Sequence, residues 1–311
     1  TPESDVSSKS IEAAANNINA HRNRLVEWSN KWKITFEPTK SHSVLISTLR
    51  SLKRQHPPIY LGPDSPALSA ESSFTQLGIL FDDKLLFNQH ITQMARIAGF
   101  RLNTISRLSR ILSQSDSVKM YKAFIRSQLE YGSIIWMSAN KSHLKLLDNI
   151  QSRAMRIIGI EKSLWSSYNI LPLDHRRQVT ALATIYRMFL KSCPTLLKSK
   201  LPELSSSNPN SNPTRTTRST SKPRHLYHLN VATLLNSKKD VRKNGNKKLD
   251  NNQYKRVFLY ASSIVWNDLP SDVIGTIDSD ATPPQDASSL STFKKRASHH
   301  LLNRDPEELL S

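Results

Sequence analysis

After about ten polar residues the chain becomes periodic. Ile11, Ala14, Ile18, Leu25 and Trp28, with Trp32 closing the run, recur at helical spacing and predict one amphipathic helix over 11–32. Short β-branched runs around a Glu37-Pro38 turn, 33–36 and 43–47, then 57–61 and 74–81, predict strands. From Ile91 the period is helical throughout. Ile91, Met94, Ala98, Leu102, Ile105, Leu108 and Leu112 form one apolar stripe, while Arg96, Asn103, Arg107 and Arg110 fall together on another face. A second helix, capped by Ser115 or Asp116, carries Val118, Tyr121, Phe124, Ile125 and Leu129 toward Trp136. A third starts at 140–142 and puts Leu144, Leu147, Ile150, Ala154, Ile157 and Ile158 inward. A fourth occupies 172–190 with Val179, Leu182, Ile185, Tyr186 and Phe189. The pattern lapses at Ser205 and returns at Val257, in a helix stopped by Pro270, before a last helix containing Leu290, Phe293, Ala297 and Leu301.

The expected fold class is therefore mainly α. One helix and a few strands bury too little to stand as a domain, so the N-terminal α+β region reads as incomplete, and a multi-helix domain follows it. Residues 205–256 carry twelve Lys plus Arg against two Asp and open with a Ser/Asn/Pro/Thr-rich stretch. That composition predicts a basic, largely disordered linker.

Charge narrows the partner. There are 44 Lys plus Arg against 25 Asp plus Glu, a net +19 with a pI near 10.1. Such an excess favours a polyanion through phosphate attraction and counterion release, with an acidic membrane surface or a merely basic tail as the plainer alternatives. No apolar run approaches the ~20 residues of a membrane span, and the N-terminus lacks a basic-then-apolar signal segment. The expectation is an intracellular protein of the cytoplasm, the nucleus or both, without a membrane partner. Thr1 in first position suggests a piece of something longer. The single cysteine, Cys193, excludes an internal disulfide framework and reads as a structural thiol. Seven glycines, none in a phosphate-cradling loop, make a nucleotide cofactor or other small-molecule ligand unexpected. The histidines, including His90, His175 and the pair His299 and His300, have no metal-ligand spacing.

The segment Leu77-Gly78-Ile79-Leu80-Phe81-Asp82-Asp83, running on through Leu85, Phe87 and His90, offers two readings. Adjacent carboxylates on a tight turn could ligate two divalent cations, as in a polymerase. In its wider context the pattern Leu-Gly-Ile-x-Phe-Asp-x-x-Leu-x-Phe-x-x-His-Ile resembles the primer-grip hairpin of reverse transcriptases from non-LTR, jockey-like retrotransposons. Three further segments resemble the same family in the same order. They are Trp28-x-x-x-Trp32-x-Ile34-x-Phe36 with Lys40, then Leu129-Glu130-Tyr131-Gly132-x-x-x-Trp136 with Ile150-Gln151-x-x-Ala154, and finally Trp266-Asn267-x-Leu269-Pro270 with Phe293-Lys294.

That resemblance implies a palm remnant and primer-grip hairpin over 11–90, a helical thumb-like domain over 91–204, and a C-terminal helical extension over 257–303, with 1–10 loose and 205–256 a linker. It implies that the metal-binding aspartates precede Thr1, so that Asp82 and Asp83 belong to a structural turn. It leaves no metal site and no cofactor in this chain, and Mg²⁺ only for a complete enzyme. Lys40 stands where related polymerases carry a possible general acid, although Glu37 replaces the usual Asn nearby. Leu77, Gly78, Phe81, Asp82 and His90 would form the primer grip, and Arg96, Arg107, Arg110, Lys119, Lys122 and Arg126 would contact nucleic acid. Tyr131 and Trp136 could stack on bases but suit a core better. The implied partners are an RNA/DNA template–primer and the remainder of the polymerase. A different class stays open, a decayed transposon remnant or a basic helical interaction protein with no polymerase role.

Overall fold

In the computed structural model the described residues are 2–37, 40–46, 56–62, 65–190, 193–204, 225–231, 258–277 and 285–303. The chain divides into two compact units, 1–93 and 94–311. The protein is mainly helical, as expected.

The first unit opens with α1 (Pro2–Ala20) and α2 (Arg22–Trp32). The helix starts at Pro2, not at Ile11: proline suits a first helical position, where its missing N–H has no partner in any case, so the polar segment expected to be loose is helical. The single helix expected over 11–32 is interrupted at His21. Lys33 ends α2 in the left-handed conformation, φ 56°, with its N–H on the Ser29 carbonyl. The run 33–36 is consequently a helix exit and not a strand, and Phe36 stacks on Trp28 at 6.2 Å. Asn19 ties α1 to the following segment by donating to Pro58 O and accepting from Tyr60 N. The expected strand 57–61 contributes only one antiparallel bridge, Tyr60 to Ala67.

Strand β1 (His42–Val44) pairs in parallel with β2 (Ser69–Glu71), an all-exposed Ser-Ala-Glu strand with no hydrophobic signature. The run 74–81 resolves into an antiparallel hairpin, β3 (Ser73–Gln76) and β4 (Ile79–Asp82). Its two-residue loop, Leu77 and Gly78, has φ of 48° and 79°. Positive φ at both central positions is the type I′ geometry, whose twist matches that of the flanking strands. Phe74 stacks on Phe81 at 5.0 Å, and Phe87 meets Phe81 edge-on at 5.6 Å. These rings cover one face of the hairpin just ahead of α3 (Asn88–Leu108), within which the first unit ends.

In the second unit the α3 stripe of Met94, Ala98, Leu102 and Ile105 is buried. Helix α4 (Gln114–Met120) is capped by Ser113, not by Ser115 or Asp116. The Ser113 Oγ accepts from Asp116 N and donates to Asp116 Oδ2, which closes the first turn reciprocally. A π-helical turn, Tyr121–Arg126, then joins α4 to α5 (Ser127–Glu130), and Gly132 at φ 63° breaks the helix ahead of α6 (Ser133–Trp136). Helix α7 (Lys141–Ile158) ends on Gly159 at φ 82°, and α8 (Leu173–Phe189) packs against it through Arg177, whose buried guanidinium lies 3.2 Å from Asp148. A short α9 (Thr195–Lys198) follows.

The helices α10 (Phe258–Asn267), α11 (Ser271–Ile274) and α12 (Gln285–Leu302) do not form a separate extension. Trp266, Leu269, Val273, Ile274, Phe293 and Ala297 share one core with Leu182, Ile185, Tyr186 and Leu190, so α8 is the common wall. Into this core the chain inserts residues 225–231, which lie inside the segment read as linker. His225 and Leu229 are buried, Tyr227 is half-buried and Leu226 points outward. Asn267 pairs with the Leu229 backbone twice at 2.8 Å, accepting from its N–H and donating to its carbonyl. Trp266 Nε1 donates to Tyr227 O and His225 Nε2 to Trp266 O. The remainder of 205–256 lies outside the described residues.

Candidate nucleic-acid interface

The Asp82 carboxylate is committed to backbone. Its Oδ1 accepts from Lys84 N and Leu86 N, both at 3.0 Å, and its Oδ2 from Phe87 N at 2.6 Å. The loop needs this because Leu85 and Phe87 both adopt left-handed φ, 52° and 57°, which side chains bearing a Cβ rarely take. Asp83 N donates to Ser72 O and closes the base of the hairpin. The Asp82 oxygens are thus engaged by backbone, and among the described residues no three carboxylate, imidazole or thiol groups cluster as a metal set.

His90, nearly buried at the start of α3, accepts from Leu80 N through Nδ1 at 3.3 Å and so links helix to hairpin. Burial lowers its pKa and keeps the imidazole in the neutral form that can accept this bond. Gly78 and the 80%-exposed Leu77 form the hairpin tip, while Phe81 is half-buried between its two aromatic neighbours. All five of these residues thus lie in the hairpin or against it, with the Leu77 side chain projecting from the tip. Lys40 is exposed, and its own N–H donates to Glu37 O.

The basic residues do not form one continuous stripe. Arg96, Arg107 and Arg110 are exposed and make no ion pair among the described residues. Arg101, a residue that periodicity alone does not mark, donates from Nη1 to Phe124 O at 2.9 Å and so faces the π-helical turn. Five residues separate Arg96 from Arg101, which places them roughly 140° apart around α3. The second basic group therefore occupies another side.

In that second group Lys119 is spent on Asp116 at 2.9 Å. The Asp116 carboxyl is held below its usual range by hydrogen bonds from Lys119 and Ser113. Lys122 and Arg126 are half-buried on the π-helical turn, and Arg176 at the start of α8 joins them through a two-pronged pair with Glu130. Lys122 Nζ donates to Tyr168 O at 2.7 Å. Tyr121, also on the turn, is fully buried and donates to Gln151 Oε1 at 2.7 Å, while Gln151 Nε2 donates to Leu171 O. This buried relay fixes the turn against α7 and the loop ahead of α8. Apolar periodicity does not mark Arg176; its signal in the sequence is the charged run Asp174-His175-Arg176-Arg177 on one helical turn. Trp136 is core, with Nε1 on Tyr131 O, whereas Tyr131 is exposed. Cys193 is half-buried.

No family model and no solved structure matches the chain. Known sequences do. Over 150 residues, 47% of the chain, it is 30% identical to the probable RNA-directed DNA polymerase from transposon X-element of Drosophila melanogaster. Over 155 residues it is 27% identical to the RNA-directed DNA polymerase from mobile element jockey of the same fly, and over 152 residues 25% identical to its counterpart in Drosophila funebris. Each match covers 16% of the relative's length. Over about half its length, then, the chain is homologous to a stretch of the RNA-directed DNA polymerases of jockey-like, non-LTR retrotransposons.

Proposed function

We propose that this chain is the C-terminal part of a retrotransposon RNA-directed DNA polymerase, comprising the end of the palm, the primer-grip hairpin, and a thumb whose core the C-terminal helices complete. It binds an RNA–DNA template–primer by its backbone and does not polymerise on its own. The observation that carries this reading is the similarity of about half the chain to polymerases of mobile elements, in a sequence of net charge +19. The exposed cations Arg96, Arg107 and Arg110 support it, since unpaired guanidinium groups clasp phosphates bidentately. The engagement of Asp82 with three backbone N–H groups supports a structural hairpin over a catalytic pair. Mg²⁺ then belongs to carboxylates that the rest of the polymerase supplies. That remainder is the second partner, and Trp28 and Trp32 on α2, 46% and 59% exposed, offer it an apolar face. Filter binding of the chain to an RNA–DNA hybrid at low salt tests the reading: retention that weakens steeply with salt is expected. No retention, or Mg²⁺-dependent nucleotide incorporation by this chain alone, overturns it.

A further inference from the structure

Arg126 is a half-buried guanidinium with no hydrogen-bond or ion-pair partner among the described residues. Its surroundings add positive charge. Lys122 stands one turn before it on the π-helical segment, and Arg176 approaches from α8. Among the described residues the carboxylate that acts on Arg126 and Arg176 is Glu130, which Arg176 engages through Nε and Nη2. Three cations against one carboxylate leave two positive charges in a partly desolvated place. The cost is visible in the ionisation of the group: burial first, and then Arg126 and Arg176, pull the Lys122 pKa down, while burial and then Arg176 pull down that of Arg126. Folding gains nothing from this crowding, and a bound anion would relieve it.

We propose that Lys122, Arg126 and Arg176 form a receptor for one phosphate group, arranged on a π-helical turn and steadied by Glu130. The chemistry favours phosphate over a carboxylate ligand. Arg176 uses two of its five N–H donors on Glu130 and keeps the rest, Lys122 keeps two N–H after its bond to Tyr168 O, and Arg126 keeps its whole fork. A tetrahedral group with several acceptor oxygens can use all three at once. A π-helical turn is an uncommon element that recurs at functional sites. Here Tyr121 and Gln151 anchor it, so the two cations it carries are presented from a fixed base. Glu130 fixes the Arg176 guanidinium through Nε and Nη2, which leaves the other edge for a ligand, and its single negative charge offsets part of the crowding.

The phosphate is taken to come from a nucleic-acid backbone, and in that respect the proposal rests on the function proposed above. Two arms separate the sources. In the first, the full chain and its Arg126→Gln variant are titrated with an RNA–DNA hybrid across a series of salt concentrations. Loss of one phosphate contact is expected to weaken binding about tenfold and to lower the slope of log K against log salt by about one, alike for different hybrid sequences. The variant should melt no lower than the wild type, because Arg126 has no hydrogen bond to lose and its removal relieves the crowding of Lys122 and Arg176. In the second arm, which needs no variant, Arg126 in the wild-type chain is modified with phenylglyoxal with and without inorganic phosphate, and protection is read by mass spectrometry. Protection without hybrid binding keeps the receptor and removes its nucleic-acid source. Wild-type hybrid binding with an unchanged Arg126→Gln affinity and slope overturns the receptor and leaves the broader function standing. Neither binding nor protection overturns both.

Discussion

Replacing Asp82 separates a structural carboxylate from a catalytic one. Asp82→Ala leaves the N–H groups of Lys84, Leu86 and Phe87 without their acceptor in a loop that contains two left-handed side-chain-bearing residues. A hydrogen bond to a charged acceptor contributes about 1.5–3 kcal/mol, but the loop is half-buried and water replaces part of what is lost, so about 2–4 kcal/mol is expected for the three together. At about 1.4 kcal/mol per decade, that is a loss of roughly 30- to 1000-fold in protection of these amides against hydrogen exchange. The effect should stay local. Asp82→Asn makes a finer distinction. With its oxygen in the Oδ1 position it keeps Lys84 and Leu86 and presents an NH₂ to Phe87, so the Phe87 amide alone should lose most of its protection. Residue-resolved exchange by NMR reads all three amides. Unchanged protection in Asp82→Ala refutes the loop role, as does Mg²⁺-dependent incorporation that the substitution abolishes while protection stays intact.

Asn267→Ala removes both partners of the Leu229 backbone and should lower stability by about 2–3 kcal/mol, seen as a shift of the urea midpoint; an unchanged midpoint means that 225–231 is not held by this pair. Leu77→Asn replaces an exposed leucine at φ 48° with a residue that tolerates this conformation, and a gain of about 0.5–1 kcal/mol in hairpin stability is expected, measured by exchange of the cross-strand amides. Burial lowers the pKa values of His90, His175, His225 and His228 below 6.5. The unfolded chain therefore binds more protons between those values and about 6.5, and stability falls on acidification through that window. Urea midpoints at pH 7.5 and 5.5 should differ in that direction, and a midpoint that rises at the lower pH contradicts the burial of these rings.

Long stripes were legible in the sequence. The α3 stripe, the third helix and α8 appear where helical periodicity puts them, because each buries a face wide enough to dominate any window. The π-helical turn was hidden within an apparently regular helix. Its trace is the spacing of buried Tyr121, Ile125 and Leu129, four and four, where an α-helix alternates three and four. Residues 225–231 are hidden for the opposite reason: a composition average over about fifty basic and polar residues conceals seven that dock through only three inward side chains, His225, Tyr227 and Leu229. β2 had no signal, since it is held by backbone pairing and buries no side chain. A turn at Asp82 is legible from the break in the apolar run, whereas its three acceptor bonds depend on φ angles that residue types do not reveal. Arg176 became part of a site only when folding brought α8 beside residues some fifty positions earlier.

The docking of 225–231 has a consequence for the connectivity of the molecule. These seven residues are held by Trp266, Asn267 and the α8 core, while the chain on either side runs through 205–224 and 232–257. Cleavage in both intervals would leave a short peptide bound by noncovalent contacts alone, a split-protein complex in which a synthetic heptapeptide could be exchanged for the native one. By the same logic, a chain ended at 204 is not a trimmed version of this fold. It lacks Leu229, Trp266, Leu269, Phe293 and Ala297, and should expose the Leu182, Ile185 and Tyr186 face of α8 to solvent as an aggregation-prone surface.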